Sequence, residues 1–250
     1  MRLIRQLRMW GFRRLGLMRF LSSKQRFTEV YRTGEWNLGV PSAPKSGIGS
    51  TIDATVGVRA NLFSVVARLF AGQSTLRIVD APCGDMTWMP LALNALAAQF
   101  EHVDYIGLDI VESVINENRR LSGFAKNVSV RFEVRDVTRE PIPGCDLVFC
   151  KDLVNHLFNR DVARLLRNLN RSGAKFAMIT SNRGWENVEL PVANAGATRH
   201  LDLEGPPFRL PLPLEHDGYL ALWALPFDGF DPEPTREPGP TPRSAAMQRE

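Results

Sequence analysis

The chain has little cysteine, no long apolar run and no acidic residue in its first 26 positions. Its three cysteines, Cys83, Cys145 and Cys150, form neither an even framework nor a CxxC pair. That sets aside a disulfide scaffold and a thiolate metal site, and implies a reducing, cytoplasmic setting with no metal. No window reaches the length that a membrane-spanning helix needs. The acid-free opening stretch holds eight Arg or Lys, so the rest carries 23 basic against 27 acidic residues, although the whole chain is +4. An acidic body is poorly suited to tracking phosphates, and no nucleic-acid partner is expected. What remains is ordinary for a globular enzyme: 250 residues, 44% hydrophobic and 23% charged, enough for one sizeable core.

The opening "MRLIRQLRMWGFRRLGLMRFLSS" is not a secretory signal, because arginines interrupt every apolar candidate. At helical spacing Leu3, Leu7, Trp10, Leu17 and Leu21 fall opposite Arg2, Arg5, Arg8, Arg13 and Arg19. This basic amphipathic arm, residues 1–26, suits either a peripheral seat on an anionic membrane face or docking on protein. The cluster "PSAPKSGIGST" reads as a loop, with Ser50 or Thr51 capping a helix through "IDATVGVRANLFSVVARLF".

Beyond it, the apolar runs "TLRIVDA", "HVDYIGLDI", "NVSVRFEVRDV", "CDLVFC", "KFAMIT" and "YLALWAL" read as strands. Segments of helical character separate most of them. Such alternation predicts an α/β fold with a doubly wound, mostly parallel, Rossmann-like sheet in a single domain. The stretch from Ser181 to Leu214 has almost no period, and the Pro-rich end from residue 228 reads as a disordered tail.

The first strand runs into "DAPCGD". In an open α/β sheet the ligand binds at the carboxyl ends of the strands, and the first turn must let it approach the backbone. Gly84 allows that approach, Pro82 stiffens the turn, and Asp80 and Asp85 offer acceptors. Two carboxylates beside one glycine would repel a pyrophosphate, which disfavours a nicotinamide dehydrogenase. A ligand with a positive centre and a ribose diol fits better, and S-adenosylmethionine is such a molecule. Asp109 ends the second strand where an acid can accept both ribose hydroxyls, and Asp136 ends the third, where it can accept from an adenine amino group.

The order of "VDAPCGD", "YIGLDIV", "VRDVT" and "CDLVFCKDLVNHL" resembles the class I S-adenosylmethionine-dependent methyltransferases. With "TEVYRTGEWN", "SGIGST" and "PPFRLPLPL", the stretch Phe27 to Phe227 is similar to a bacterial group often proposed to methylate glycans or other small secreted products. The resemblance implies that Asp80, Ala81 and Gly84 form the cofactor turn. It also implies that Asp109 and the adjoining Ile110 hold the ribose, that Asp136 and Val137 lie by the adenine, and that Lys151 lies beside the methionine portion. The broad class prefers glycine where this chain has Pro82 and Met86.

Methyl transfer to oxygen also needs a proton removed. In "KDLVNHL", Asp152 and His156 stand one helical turn apart past the fourth strand. His156 suits a general base, with Asp152 orienting it or the acceptor, and Asn155 suits cofactor or acceptor binding. Gly47 and Gly49 suit a loop folding over the cofactor mouth. In the long stretch after the fifth strand, Trp185, Asn187, Arg199 and Asp202 suit a polar acceptor such as a sugar. The expected activity is methylation of a hydroxyl on a small polar acceptor, a glycan or lipid-linked sugar included. Methylation of protein or nucleic acid, and non-catalytic cofactor binding, are the alternatives.

Overall fold

The computed structural model describes residues 20–38, 40, 42–192 and 194–230. The arm up to residue 19 and the tail from residue 231 lie outside them. Helix α1 (Ser23–Thr33) runs through residue 26, where the arm was expected to end. Ser22 begins it: the Ser22 hydroxyl accepts from the Gln25 amide at 3.2 Å, while Gln25 Oε1 accepts from the Ser22 amide at 2.9 Å. This reciprocal box satisfies two of the donors a helix start leaves over. Gly34 closes the helix in the left-handed region at φ 68°.

The helix expected from Ile52 begins later, as α2 (Val56–Leu69). Thr51 Oγ1 accepts from the Ala54 amide and the Thr55 hydroxyl donates to the Thr51 carbonyl. The polar groups expected to cap a helix therefore close a turn ahead of it.

The sheet contains β1 (Thr75–Asp80), β2 (His102–Asp109), β3 (Val128–Val134), β4 (Leu147–Cys150), β5 (Phe176–Thr180), β6 (Glu215–His216) and β7 (Leu220–Ala224). Helices α3 (Met89–Leu96) and α4 (Glu112–Asn118) follow β1 and β2, and α5 (Asn159–Asn170) precedes β5. The strand order is 3-2-1-4-5-7-6. Strands β1 to β5 pair in parallel and β7 runs antiparallel to β5 and β6. This is the Rossmann-like, doubly wound, mostly parallel sheet that the alternation of strands and helices predicted.

Alternate strand residues bury on opposite faces. Val79, Val148 and Ile179 join one core with α5, while Ile78, Leu147 and Met178 join the other with α2 and α3. Helix α5 shows the matching period, burying Val162, Leu165, Leu166 and Leu169. The register sets Asp80 against Gly107 on β2 and Phe149 on β4, so the ends of β1, β2 and β4 meet at one edge. All three cysteines are buried and unpaired. No helix among the described residues is long and apolar enough to cross a membrane.

Candidate functional site

A cavity of about 340 Å³ opens at that edge. Its floor is the turn after β1, with Asp80, Pro82, Cys83, Gly84, Asp85 and Met86, and one side comes from Asp109 at the end of β2. Lys151, Asp152, Asn155 and His156, following β4, make another side. Of the residues singled out in the sequence, Asp80, Gly84, Asp109, Lys151, Asp152 and His156 thus come together.

Gly84 has φ 57°, and a Cβ there would lie 2.5 Å from Ser46 Oγ. The residue that approaches Gly84 closely is therefore in the "SGIGST" loop. Ser46 and Asp85 hold the two segments together reciprocally: Asp85 N donates to Ser46 Oγ at 2.8 Å, and Ser46 N donates to Asp85 Oδ2 at 3.1 Å. Two residues on, Met86 stands at φ 58°, a conformation that glycine adopts more easily. This is one of the two positions where the broad class has glycine.

Burial dominates the electrostatics. Asp80 is pushed up to about 8 by burial, against the opposing hydrogen bond from Tyr105 OH at 2.6 Å and the charge of Lys151. Asp109 is pushed up to about 6 by burial, offset by amide hydrogens from Val111 at 2.9 Å and Gly84 at 3.3 Å. It therefore stays ionised at neutral pH, as an acceptor facing the cavity.

Asp152 takes φ 58°, so the segment after β4 is not the regular helix its spacing suggested; a 3-10 turn covers Val154–His156. One Asp152 oxygen meets Lys151 Nζ at 2.5 Å and the other accepts from Tyr219 OH. Lys151 also donates to the Gly49 carbonyl at 3.2 Å.

His156 is oriented by a different group from the one expected. Its Nδ1 lies 2.9 Å from the Ala197 carbonyl, which fixes Nδ1 as the donor and leaves Nε2 as the basic nitrogen. Burial lowers its pKa, against the Ala197 bond and the Asp152 charge, so the ring is neutral at pH 7.

Other expected residues lie elsewhere. Ala81 is buried, and its amide donates to the Phe149 carbonyl. Ile110, Asp136 and Val137 line a separate cavity of about 30 Å³, which shares Phe27 and Leu153 with the larger one. Asp136 Oδ1 accepts from the amide and hydroxyl of Thr138, closing the turn after β3. In the loop after β5, Trp185 is exposed and packs on His200. The Asn187 amide is spent on backbone groups of Asp202 and Pro206. Arg199 is buried and donates to the Leu157 carbonyl and to Asn159 Oδ1. None of these three lines the cavity, and Asp202 accepts from the Gly184 and Glu204 amides.

Sequence reasoning missed the aromatic wall. Phe27 and Tyr31 from α1 and Trp36 just after it line the cavity, with the Trp36 ring 4.7 Å from His156 and 5.8 Å from Tyr31. Tyr31 and Trp36 both fall in "TEVYRTGEWN", one of the stretches that carried the family resemblance.

Residues 80–174 match a family model described as a methyltransferase domain. No curated protein matches the chain. Among solved structures, phosphoethanolamine N-methyltransferase 1 of Haemonchus contortus is 16% identical over 73% of this chain, with a TM-score of 0.47. The chain spans 39% of the length of that enzyme. Magnesium protoporphyrin IX methyltransferase of Synechocystis PCC 6803 is 16% identical over 81% of this chain and 95% of its own, with a TM-score of 0.48. The N-methyltransferase NodS of Bradyrhizobium japonicum is 14% identical over 62% of this chain and 74% of its own, with a TM-score of 0.41.

Proposed function

We propose that the cavity, lined largely by residues of the 80–174 stretch that matches a methyltransferase-domain model, takes S-adenosylmethionine as methyl donor and the hydroxyl of a small molecule as acceptor. The observation that carries the reading is Asp109, a buried carboxylate at the end of β2, ionised at neutral pH and open to the cavity. Two vicinal ribose hydroxyls need such an acceptor. The ionised Asp109 suits a cationic donor, and Lys151, the one lysine among the described lining residues, is paired with Asp152 rather than free for a pyrophosphate.

A bound sulfonium donor supplies an already activated methyl group: the sulfur–carbon bond breaks with its electron pair left on sulfur as a carbon–oxygen bond forms to the acceptor. The chain's own part is alignment and proton removal. His156 Nε2 takes the hydroxyl proton. A lowered pKa keeps the imidazole unprotonated and ready at neutral pH. Lys151, held by Asp152 and the Gly49 carbonyl, fixes the "SGIGST" loop over the donor end.

Titration calorimetry of the full chain with S-adenosylhomocysteine tests the donor site. Wild type should bind saturably, and Asp109→Ala should lose at least about tenfold in affinity, the scale of a hydrogen bond to a charged acceptor. Unchanged binding by the variant would overturn the assignment.

A further inference from the structure

The cavity has two ends of different chemistry. Around the turn after β1 its ionisable groups are the carboxylates of Asp80, Asp85 and Asp109. Asp152 and Lys151 neutralise each other across 2.5 Å. No arginine is among the described residues lining the cavity. From Tyr31, whose hydroxyl lies 3.1 Å from Ser46 Oγ beside Gly84, a run of rings leads away from that turn. Tyr31 packs edge-on to Trp36, Trp36 leans on His156, and Phe27 closes the group at 5.9 Å from Trp36 and 6.5 Å from His156.

Asn155 also lines the cavity beside His156. It is only 8% exposed, and its Oδ1 has no hydrogen-bond partner. That oxygen is closed off from the cavity by its neighbours. This part of the cavity therefore presents apolar ring surface with His156, whose Nε2 is the basic nitrogen, among the rings. The one lysine or arginine among the described lining residues is Lys151, which Asp152 pairs.

We propose that this aromatic end is the acceptor subsite and that it takes an uncharged molecule with a flat apolar face and a hydroxyl group, a phenol in the simplest case. This rests on the methyl-donor reading above. The flat face packs against the ring wall, as apolar surface does when water is displaced. The hydroxyl donates towards His156 Nε2. A phosphorylated or carboxylated acceptor would bring negative charge against apolar rings, with no guanidinium among the described lining residues to receive it.

The test uses the full chain saturated with S-adenosylhomocysteine and three probes: 2-naphthol, 2-naphthyl phosphate and methyl glucoside. Binding is followed by calorimetry. 2-Naphthol should bind saturably and at least about tenfold more tightly than either of the others. Trp36→Ala should weaken it by about tenfold or more while leaving the affinity for S-adenosylhomocysteine within about twofold. Phe27→Ala, which removes the other end of the ring wall, should weaken 2-naphthol by a similar factor and serves if Trp36→Ala fails to fold. Tighter binding of the phosphate or the glucoside, no binding of 2-naphthol, or 2-naphthol binding untouched in both variants would overturn the acceptor subsite with the donor site intact. Failure of the folded protein to bind S-adenosylhomocysteine would instead overturn the donor reading.

Discussion

Arg26 of α1 donates its Nη2 to the backbone carbonyl of His156 at 2.9 Å, across 130 residues of chain. Its guanidinium is fully buried, lies over the rings of Phe27 and Phe158, and has two nitrogens, Nε and Nη1, without a partner. The next carbonyl, of Leu157, is held by Arg199 from the loop after β5. The turn bearing Asn155 and His156 is thus clamped between the first helix and that loop. The two arginines lower the imidazole pKa by their charge, and Asp152 opposes them. Arg26→Met should therefore raise the His156 pKa, read by NMR titration of its ring proton, with S-adenosylhomocysteine affinity changed by less than about twofold. Arg26→Lys keeps the charge and should shift the pKa less. Equal shifts in both would assign the effect to packing.

Asp80 makes the fold sensitive to pH. Burial raises it from 3.8 to about 8, so between those values the folded state holds a proton that the unfolded chain has lost. The stability this contributes is complete below about pH 4 and is lost as pH rises through about 8. Asp80→Asn keeps an acceptor for the Tyr105 hydroxyl and removes the titration. Its melting temperature should exceed that of wild type at pH 8 and converge on it near pH 4; a constant difference would contradict the burial argument.

Asp109 titrates lower and on the ligand. Its carboxylate is pushed up to about 6, and a protonated carboxyl loses an acceptor for the ribose. The affinity for S-adenosylhomocysteine should be flat above neutrality and fall below about pH 6, approaching tenfold per pH unit. In Asp109→Asn that slope should vanish.

Gly84→Ala is expected to be severe. The new Cβ would sit 2.5 Å from Ser46 Oγ and hold a left-handed backbone at φ 57°. The backbone alone costs about 1–2 kcal/mol. Displacement of Ser46 also breaks its two bonds to Asp85. Denaturant unfolding should show the loss, and hydrogen exchange at the amides of Ser46 and Asp85 should quicken in the variant.

The sheet was legible because its strands are apolar runs such as "RIVD" and "LVFC", buried on both faces and ending in the polar residues that make the floor of the cavity. The floor of the cavity was legible for the same reason: Asp80, Gly84 and Asp109 fall at the ends of those runs and line it. What orients His156 was not, because the Ala197 carbonyl is a backbone group 41 residues away and has no sequence signature. Asn187 and Arg199 looked available for a sugar. Their donors close the loop instead, and a polar side chain serving remote carbonyls reads in sequence like one facing a ligand. Asp136 looked like its neighbours Asp80 and Asp109, but Thr138 two residues on makes it a turn-former. The aromatic wall comes from α1, far before the sheet, and only tertiary packing brings Phe27, Tyr31 and Trp36 beside Asn155.

The burial of Cys83, Cys145 and Cys150 gives the molecule an internal clock. Burial raises each thiol's pKa, and thiolate is the species that reacts with alkylating reagents, so the closed protein should label slowly at every site. Cys83 lines the main cavity under the Ser46 loop, while Cys150 lies within β4 at 1% exposure. Modification at Cys83 then records how often the mouth of the site breathes, and modification at Cys150 records how often the sheet itself comes apart. The ratio of the two rates, taken with and without ligand, separates gating from global unfolding without any introduced probe.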